Sequence, residues 1–221
     1  MKHIQRIDDL EISIGHDEIA GLLGYKGATI PERVQRMITE IERIAPGLVE
    51  PATAYRIMTN DEYSQSPFLH HIDQLAMCLV TIGERLEGEV QRQKEKGELG
   101  RALLFDAFGS AVAEATADAA ETIIQGAVAE RGLRCSQRFS PGYSGWRVDE
   151  QEWILPALDG QSLGVALTEG CMMCPRKSIT FAMTIGDHPV EVRTANICDS
   201  CGAVNCPLRH TPHNCFGKTF E

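Results

Sequence analysis

The sequence predicts an α+β fold, a mixed or antiparallel sheet combined with long helices and closed by a cysteine-rich C-terminal hairpin. Three observations carry this. Helical three-and-four spacing of apolar residues alternates with short β-like apolar runs. One segment of about thirty residues is unusually rich in alanine. Six of the eight cysteines fall between Cys171 and Cys215.

The elements follow in order. Residues 8–14 alternate weakly, and HDEIAGLLGY reads as a short helical turn ending near Gly24. Thr29-Ile30-Pro31 opens a helix with proline in its first turn. Val34, Met37, Ile38, Ile41 and Ile44 then share one helical face until Pro46-Gly47. ATAYRIMT (52–59) reads as a strand, and LAMCLVTI (75–82), bounded by Gly83, as a buried one that holds Cys78 as a small hydrophobe. Glu84 to Lys96 is a charged helix with a solvated outer face and i,i+4 support such as Glu87–Gln91.

Arg101 to about Arg131 is the longest helix. Its alanines let neighbouring backbones approach closely, which suits a central helix packed on more than one side. Leu104, Phe105, Phe108, Val112 and Ile123 lie on one side, and Ser110, Glu114, Asp118 and Glu121 on another. By periodicity that acidic stripe is a solvated face. Beyond Gly132, SQRFSPGYSGWRVDEQEW reads as a strand running into a structured loop, and Glu150 to Leu158 as a short helix. SLGVALT follows, then a hairpin, SITFAMTIG and VEVRTANIC, turning at Asp187-His188. The chain divides into an α+β unit, 1–197, and a cysteine-rich tail, 198–221.

The 221 residues carry 21 basic and 31 acidic side chains, a formal net charge of −10. That balance argues against nucleic acid and anionic membranes as partners, since both need clustered Lys and Arg. The opening residues show no secretory pattern, and no apolar run nears the ~20 residues of a membrane helix. The expected setting is cytoplasmic. Clustered cysteines there point to a metal or cluster before disulfides.

The cysteines stand as Cys171-Met-Met-Cys174, Cys198-Asp-Ser-Cys201, Cys206 and Cys215. A CxxC loop turns two thiolates toward one ion with backbone amides free to bond the sulfurs. Pairing of the hairpin arms would bring residues 171–174 beside 201–204. Two facing knuckles describe a zinc ribbon, whereas three thiolates from one CxxCxxxxC loop plus a fourth from elsewhere fit an iron–sulfur cluster. Spacing leaves both open. Cys215, flanked by His210 and His213, is a spare ligand or a free thiol.

Arg138-Phe-Ser-Pro141-Gly142-Tyr143, followed downstream by LTEGCMMCPRKSITF, resembles the activation (reactivation) domain of cobalamin-dependent methionine synthase. In that family an Arg-x-x-x-Gly-Tyr segment binds S-adenosylmethionine and an LTES-x-AM-x-P-x-x-S segment follows. Ala113-Glu114-Ala115 matches the family's Ala-Glu-Ala, whose glutamate contributes to the methyl-donor site. The clear resemblance spans about residues 100–186. It implies that Arg138 takes the ligand's carboxylate as a bidentate pair and Glu114 its α-amino group. It further implies that Pro141 and Gly142 form a rigid turn against the ligand and that Tyr143 flanks its sugar or sulfonium. Asp118 and Glu121 keep the solvated reading.

Two departures are evident. Ser144-Gly145-Trp146-Arg147 replaces the family's Pro-x-Cys-x-x-His type sequence, and the fused enzymes have no C-terminal CxxCxxxxC. The chain is thus similar to free-standing activation proteins that accompany separate corrinoid methyltransferases. By that likeness Cys171, Cys198, Cys201 and Cys206 are the metal ligands, with Cys174 as the substitute. The implied role is to cap a corrinoid protein or methyltransferase, which carries the cobalamin, and to present S-adenosylmethionine for its reductive remethylation. Such a role needs a low-potential electron, so it favours an iron–sulfur cluster over zinc and invites a separate electron donor as partner. Two other classes stay open: an iron–sulfur electron-transfer component without a methyl-donor site, and a zinc-stapled protein-binding module.

Overall fold

A computed structural model describes residues 3–7, 10, 12–25, 28–143 and 145–192. Its framework is an antiparallel sheet whose central strands bury side chains on both faces. Strands β1 (Gln5–Ile7), β2 (Ala52–Thr59), β3 (Gln74–Thr81), β4 (Arg134–Cys135) and β7 (Ser178–Gly186) lie in the order β1-β2-β3-β7-β4. A separate two-stranded ladder joins β5 (Ala166–Leu167) to β6 (Met173–Cys174). The registers Tyr55↔Cys78 and Cys78↔Phe181 place β3 between β2 and β7.

Alternation along β3 sorts the core. Ala76, Cys78 and Val80 face one side with Phe181 and Met183, while Leu75, Met77 and Leu79 face the other. The first face is covered by α4 (Leu99–Ala129), through Ala117, Ala120, Ile124 and Val128. The second is covered by α5 (Gln151–Ala157) and the preceding loop, through Phe139, Trp146, Ile154 and Leu155. Cys78 is fully buried, as a small hydrophobe would be, and burial pushes its thiol far up.

The helix α4 changes partners along its length. Its first half, from Ala102 to Ala113, packs with α1 (His16–Ala20), α2 (Glu32–Ile44) and α3 (Arg85–Glu95). At Gly109 the approach of α3 is so close that a Cβ would stand 2.6 Å from Leu86 Cδ2. Arg101 ties α4 to α2, its Nη1 donating to both carboxylate oxygens of Glu40 at 3.0 and 2.9 Å. Alanine is used where two bodies press on one helix.

The expected elements stand within a few residues of their places, with one rearrangement at the C-terminal side. The second arm of the expected hairpin is described only to Val192, and residues 187–192 form no strand. The edge of β7 it would have used is occupied between Ala182 and Gly186. Arg134 and Cys135 pair with Gly186 and Ile185. Ser136 N–H donates to Thr184 O at 3.0 Å, and Phe139 bridges Ala182. The tail 198–221, with Cys198, Cys201, Cys206 and Cys215, lies outside the described residues. Among the described residues no helix is long and apolar enough to cross a membrane.

Candidate functional site

The strap from Arg134 to Phe139 runs along β7 and delivers Arg138 to the acidic face of α4. Two backbone bonds fix its end, Phe139 N–H to Ala182 O at 2.9 Å and Ala182 N–H to Phe139 O at 2.8 Å. Phe139 thereby turns into the core, and its predecessor Arg138 turns to the opposite face of the sheet. There its guanidinium lies 5.8 Å from the centroid of the Phe181 ring.

Three carboxylates meet this guanidinium. Nη2 donates to Glu114 Oε2 at 2.9 Å. Nη1 lies 2.7 Å from Asp118 Oδ1 and 3.7 Å from Glu121 Oε2. Spacings of four and seven residues put all three acids on one face of α4. Asp118 and Glu121 are therefore not simply solvated, as periodicity suggested; they share the cation that Glu114 holds. Nη1 is shielded from solvent, yet none of its hydrogens is aligned with an acceptor. Burial pushes the Glu121 carboxyl up, Arg138 opposes that shift, and Asp118 adds to it. Glu114 is 61% exposed against 26% for Arg138. An ion pair that open is worth about 0–1 kcal/mol, so exchanging Glu114 for another anion costs the fold little.

The chain then reverses. Pro141 is buried, and Gly142 sits at φ 91°, a conformation costly for residues with a Cβ. Gly142 N–H donates to Trp146 O at 2.7 Å, and Trp146 N–H to Tyr143 O at 2.9 Å. The turn leaves Tyr143 half exposed and drives the Trp146 ring into the core. That ring stacks on Phe68 at 5.7 Å and tilts against Phe139 at 5.4 Å, while its Nε1 donates to Glu150 Oε2 at 2.9 Å. Sequence reasoning marked Ser144-Gly145-Trp146 only as a departure from the family pattern. Its tryptophan is the anchor of the turn.

One turn earlier on α4 lies a second polar cluster that periodicity did not reveal. Lys177 Nζ donates to Ser110 Oγ at 2.8 Å and stands 3.0 Å from Asp106 Oδ1. Its own N–H donates to Glu87 Oε1 at 3.1 Å. The expected Glu87–Gln91 pairing gives way to this contact, and Gln91 turns instead to Glu95. The cluster pins the segment after the first cysteine pair to α4.

Cys171 and Cys174 precede that segment. A tight turn, with Thr168 N–H bonded to Met172 O and Cys171 N–H to Thr168 O, both at 2.9 Å, carries Cys171 at φ 58°. Cys174 is exposed on β6, opposite Ala166. The Cys171 thiol donates to Glu152 Oε1 at 3.7 Å. Its pKa is raised, with loss of solvation the larger cause and the Glu152 charge the next. Among the described residues no group of three metal-binding side chains forms.

Sequence comparison finds no matching protein family. It finds no matching curated protein either. Structure comparison finds a crystal structure of the MetH reactivation domain bound to AdoHcy, at TM-score 0.56 and 14% identity, spanning 86% of this chain and 81% of that one. The chain has the reactivation-domain fold. The likeness extends beyond residues 100–186, where the motifs lie, to the sheet and helices before them. At 14% identity it speaks for the fold, and the site residues rest on the geometry above.

Proposed function

We propose that this chain binds S-adenosylmethionine across Glu114, Arg138 and the Pro141-Gly142-Tyr143 turn, and serves the reductive remethylation of a corrinoid held by another protein. The observation that carries the reading is the contact of Arg138 with Glu114 beside that turn, in a fold shared with a domain solved with AdoHcy. An amino-acid zwitterion complements such a pair. Its carboxylate would take Arg138 hydrogens in competition with Asp118, which lies 2.7 Å from Nη1, and its ammonium the Glu114 carboxylate. The ligand replaces a weak, exposed ion pair by two charge-assisted contacts. Tyr143, half exposed on a turn fixed by Trp146, would cover the nucleoside end. The protein's part is positioning, so that the sulfonium methyl faces a cobalt centre presented by the partner.

Residues 1–197 form the ligand-binding unit in this reading, and 198–221 complete a metal site with Cys171 or Cys174. Its described half is Cys171 on the tight turn and Cys174 on the adjoining strand, both free thiols. An iron–sulfur cluster bound there would supply low-potential electrons, and zinc would act as a staple only. Isothermal titration of the full chain with S-adenosylmethionine tests the donor site. Binding should weaken about 10- to 100-fold in Arg138→Ala, the loss of a charged hydrogen-bonding group. Equal binding by that variant refutes the site. Iron, sulfide and zinc analysis of anaerobically prepared protein tests the metal, and a colourless protein with stoichiometric zinc removes the relay.

A further inference from the structure

We infer that Asp118 and Glu121 make the site a charge selector that holds the cationic methyl donor and releases its neutral product. The inference deepens the methyl-donor reading above and rests on it. Its ground is the imbalance at Arg138: one guanidinium faces Glu114, Asp118 and Glu121, at 2.9, 2.7 and 3.7 Å, a formal excess of two negative charges. Among the described residues Arg138 is the only cation within ion-pair distance of the three. The next cations along α4, Lys177 and Arg176, are engaged with Asp106 and Glu87 and do not offset it.

Recognition of an amino-acid zwitterion needs one cation and one anion, which Arg138 and Glu114 supply. The other two carboxylates are surplus to that task. They would also compete with a ligand carboxylate for Arg138, so their presence calls for a compensating gain. S-adenosylmethionine supplies one, because its sulfonium gives it a net charge of +1. When the methyl group leaves with the C–S bond broken and the electron pair retained on sulfur, the ligand becomes a neutral thioether of almost the same shape. Shape cannot separate the two ligands, but charge can. The sulfonium lies about two bonds beyond the Cβ of the amino acid, well inside the roughly 8–10 Å over which charges act in physiological salt. Glu114 contributes to the attraction as well, but it is tied to the ammonium in both ligands. Asp118 and Glu121, which share only Arg138, are the groups left to read the sulfur.

The test compares three ligands on the full chain by calorimetry: S-adenosylmethionine, S-adenosylhomocysteine and sinefungin, which carries an amine cation near the sulfonium position. The native chain should prefer both cationic ligands over the thioether, and the preference should shrink as salt rises. Asp118→Asn and Glu121→Gln should each cut the preference about three- to tenfold, from Coulomb's law at roughly 6 Å with an effective dielectric of about 40–80. The double variant should lose nearly all of it. Circular dichroism and thermal unfolding check that each variant is folded. Equal strengthening of all three ligands in Asp118→Asn would make that residue a competitor for Arg138 and overturn the inference. So would a preference unchanged in a folded double variant. Failure of all three ligands to bind the native chain removes the donor-site reading itself, and the selector with it.

Discussion

Replacing Trp146 by alanine isolates what holds the Pro-Gly-Tyr turn. The side chain is 1% exposed and touches two aromatic rings, Phe68 and Phe139, in addition to the Glu150 carboxylate. A buried indole of about 200 Å² at ~25 cal/mol/Å² corresponds to roughly 5 kcal/mol of transfer free energy. Measured tryptophan or phenylalanine truncations in cores cost about 3–5 kcal/mol, so both routes agree. At about 2–4 °C per kcal/mol for a chain of this size, the unfolding midpoint should drop by roughly 6–20 °C. Urea titration followed by far-UV circular dichroism gives the free energy. The chain has two tryptophans, so the fluorescence left in the variant is that of Trp153. Trp146→Phe, which keeps the ring contacts but removes the shorter of the two indole hydrogen bonds to Glu150 and leaves that from Trp153 at 3.4 Å, should fall between native and alanine variants. Ligand affinity should decline in the same order, because Trp146 fixes the turn through Gly142 and Tyr143. A loss below about 1 kcal/mol in Trp146→Ala would refute the anchoring role.

Three further outcomes follow from the same geometry. Gly142→Ala should cost about 1–2 kcal/mol through its positive φ alone, since the added Cβ would meet Val148 only at 3.9 Å; Gly170→Ala, in open space without that strain, is the control in urea titration. Glu121 has a raised carboxyl pKa, so its contribution is fully present below the unfolded value and is lost as pH rises through the folded one. Glu121→Gln should thus match native stability near pH 4 and exceed it at pH 7, and a variant less stable at pH 7 contradicts the burial argument. In metal-free protein, a maleimide should label Cys174 readily and leave Cys78 untouched until unfolding, and peptide mapping that finds Cys78 labelled in the native state contradicts its burial.

Much of the fold was legible because its signals are local. The strand at 52–59 was marked by its own β-branched and aromatic residues, and the long helix, expected over about 101–131 and found at Leu99–Ala129, by its alanines. The ligand turn was legible through motif resemblance, while its geometry was not. Asp118 and Glu121 carry no local mark that separates a solvated stripe from one facing a cation 20 and 17 residues further on. The bridge that brings Arg138 there joins Phe139 to Ala182, across 43 residues of chain. For the same reason the edge of β7 could not be assigned from sequence: a near neighbour, 190–198, was an obvious partner, yet the strap from 134 to 139 fills part of that edge. Lys177 was hidden because a lysine beside an arginine reads as surface.

The mid-helix change of partners in α4 has a thermodynamic consequence. Glu114 sits between Ala113, the last residue that packs with the helices, and Ala117, the first that packs on the sheet. A ligand gripped by Glu114 and Arg138 would sit where α4 passes from the helical cluster to the sheet cluster. Saturating donor should therefore do more than raise the midpoint of unfolding. It should slow amide exchange in both halves of α4 together, and protection confined to one half would contradict the bridging.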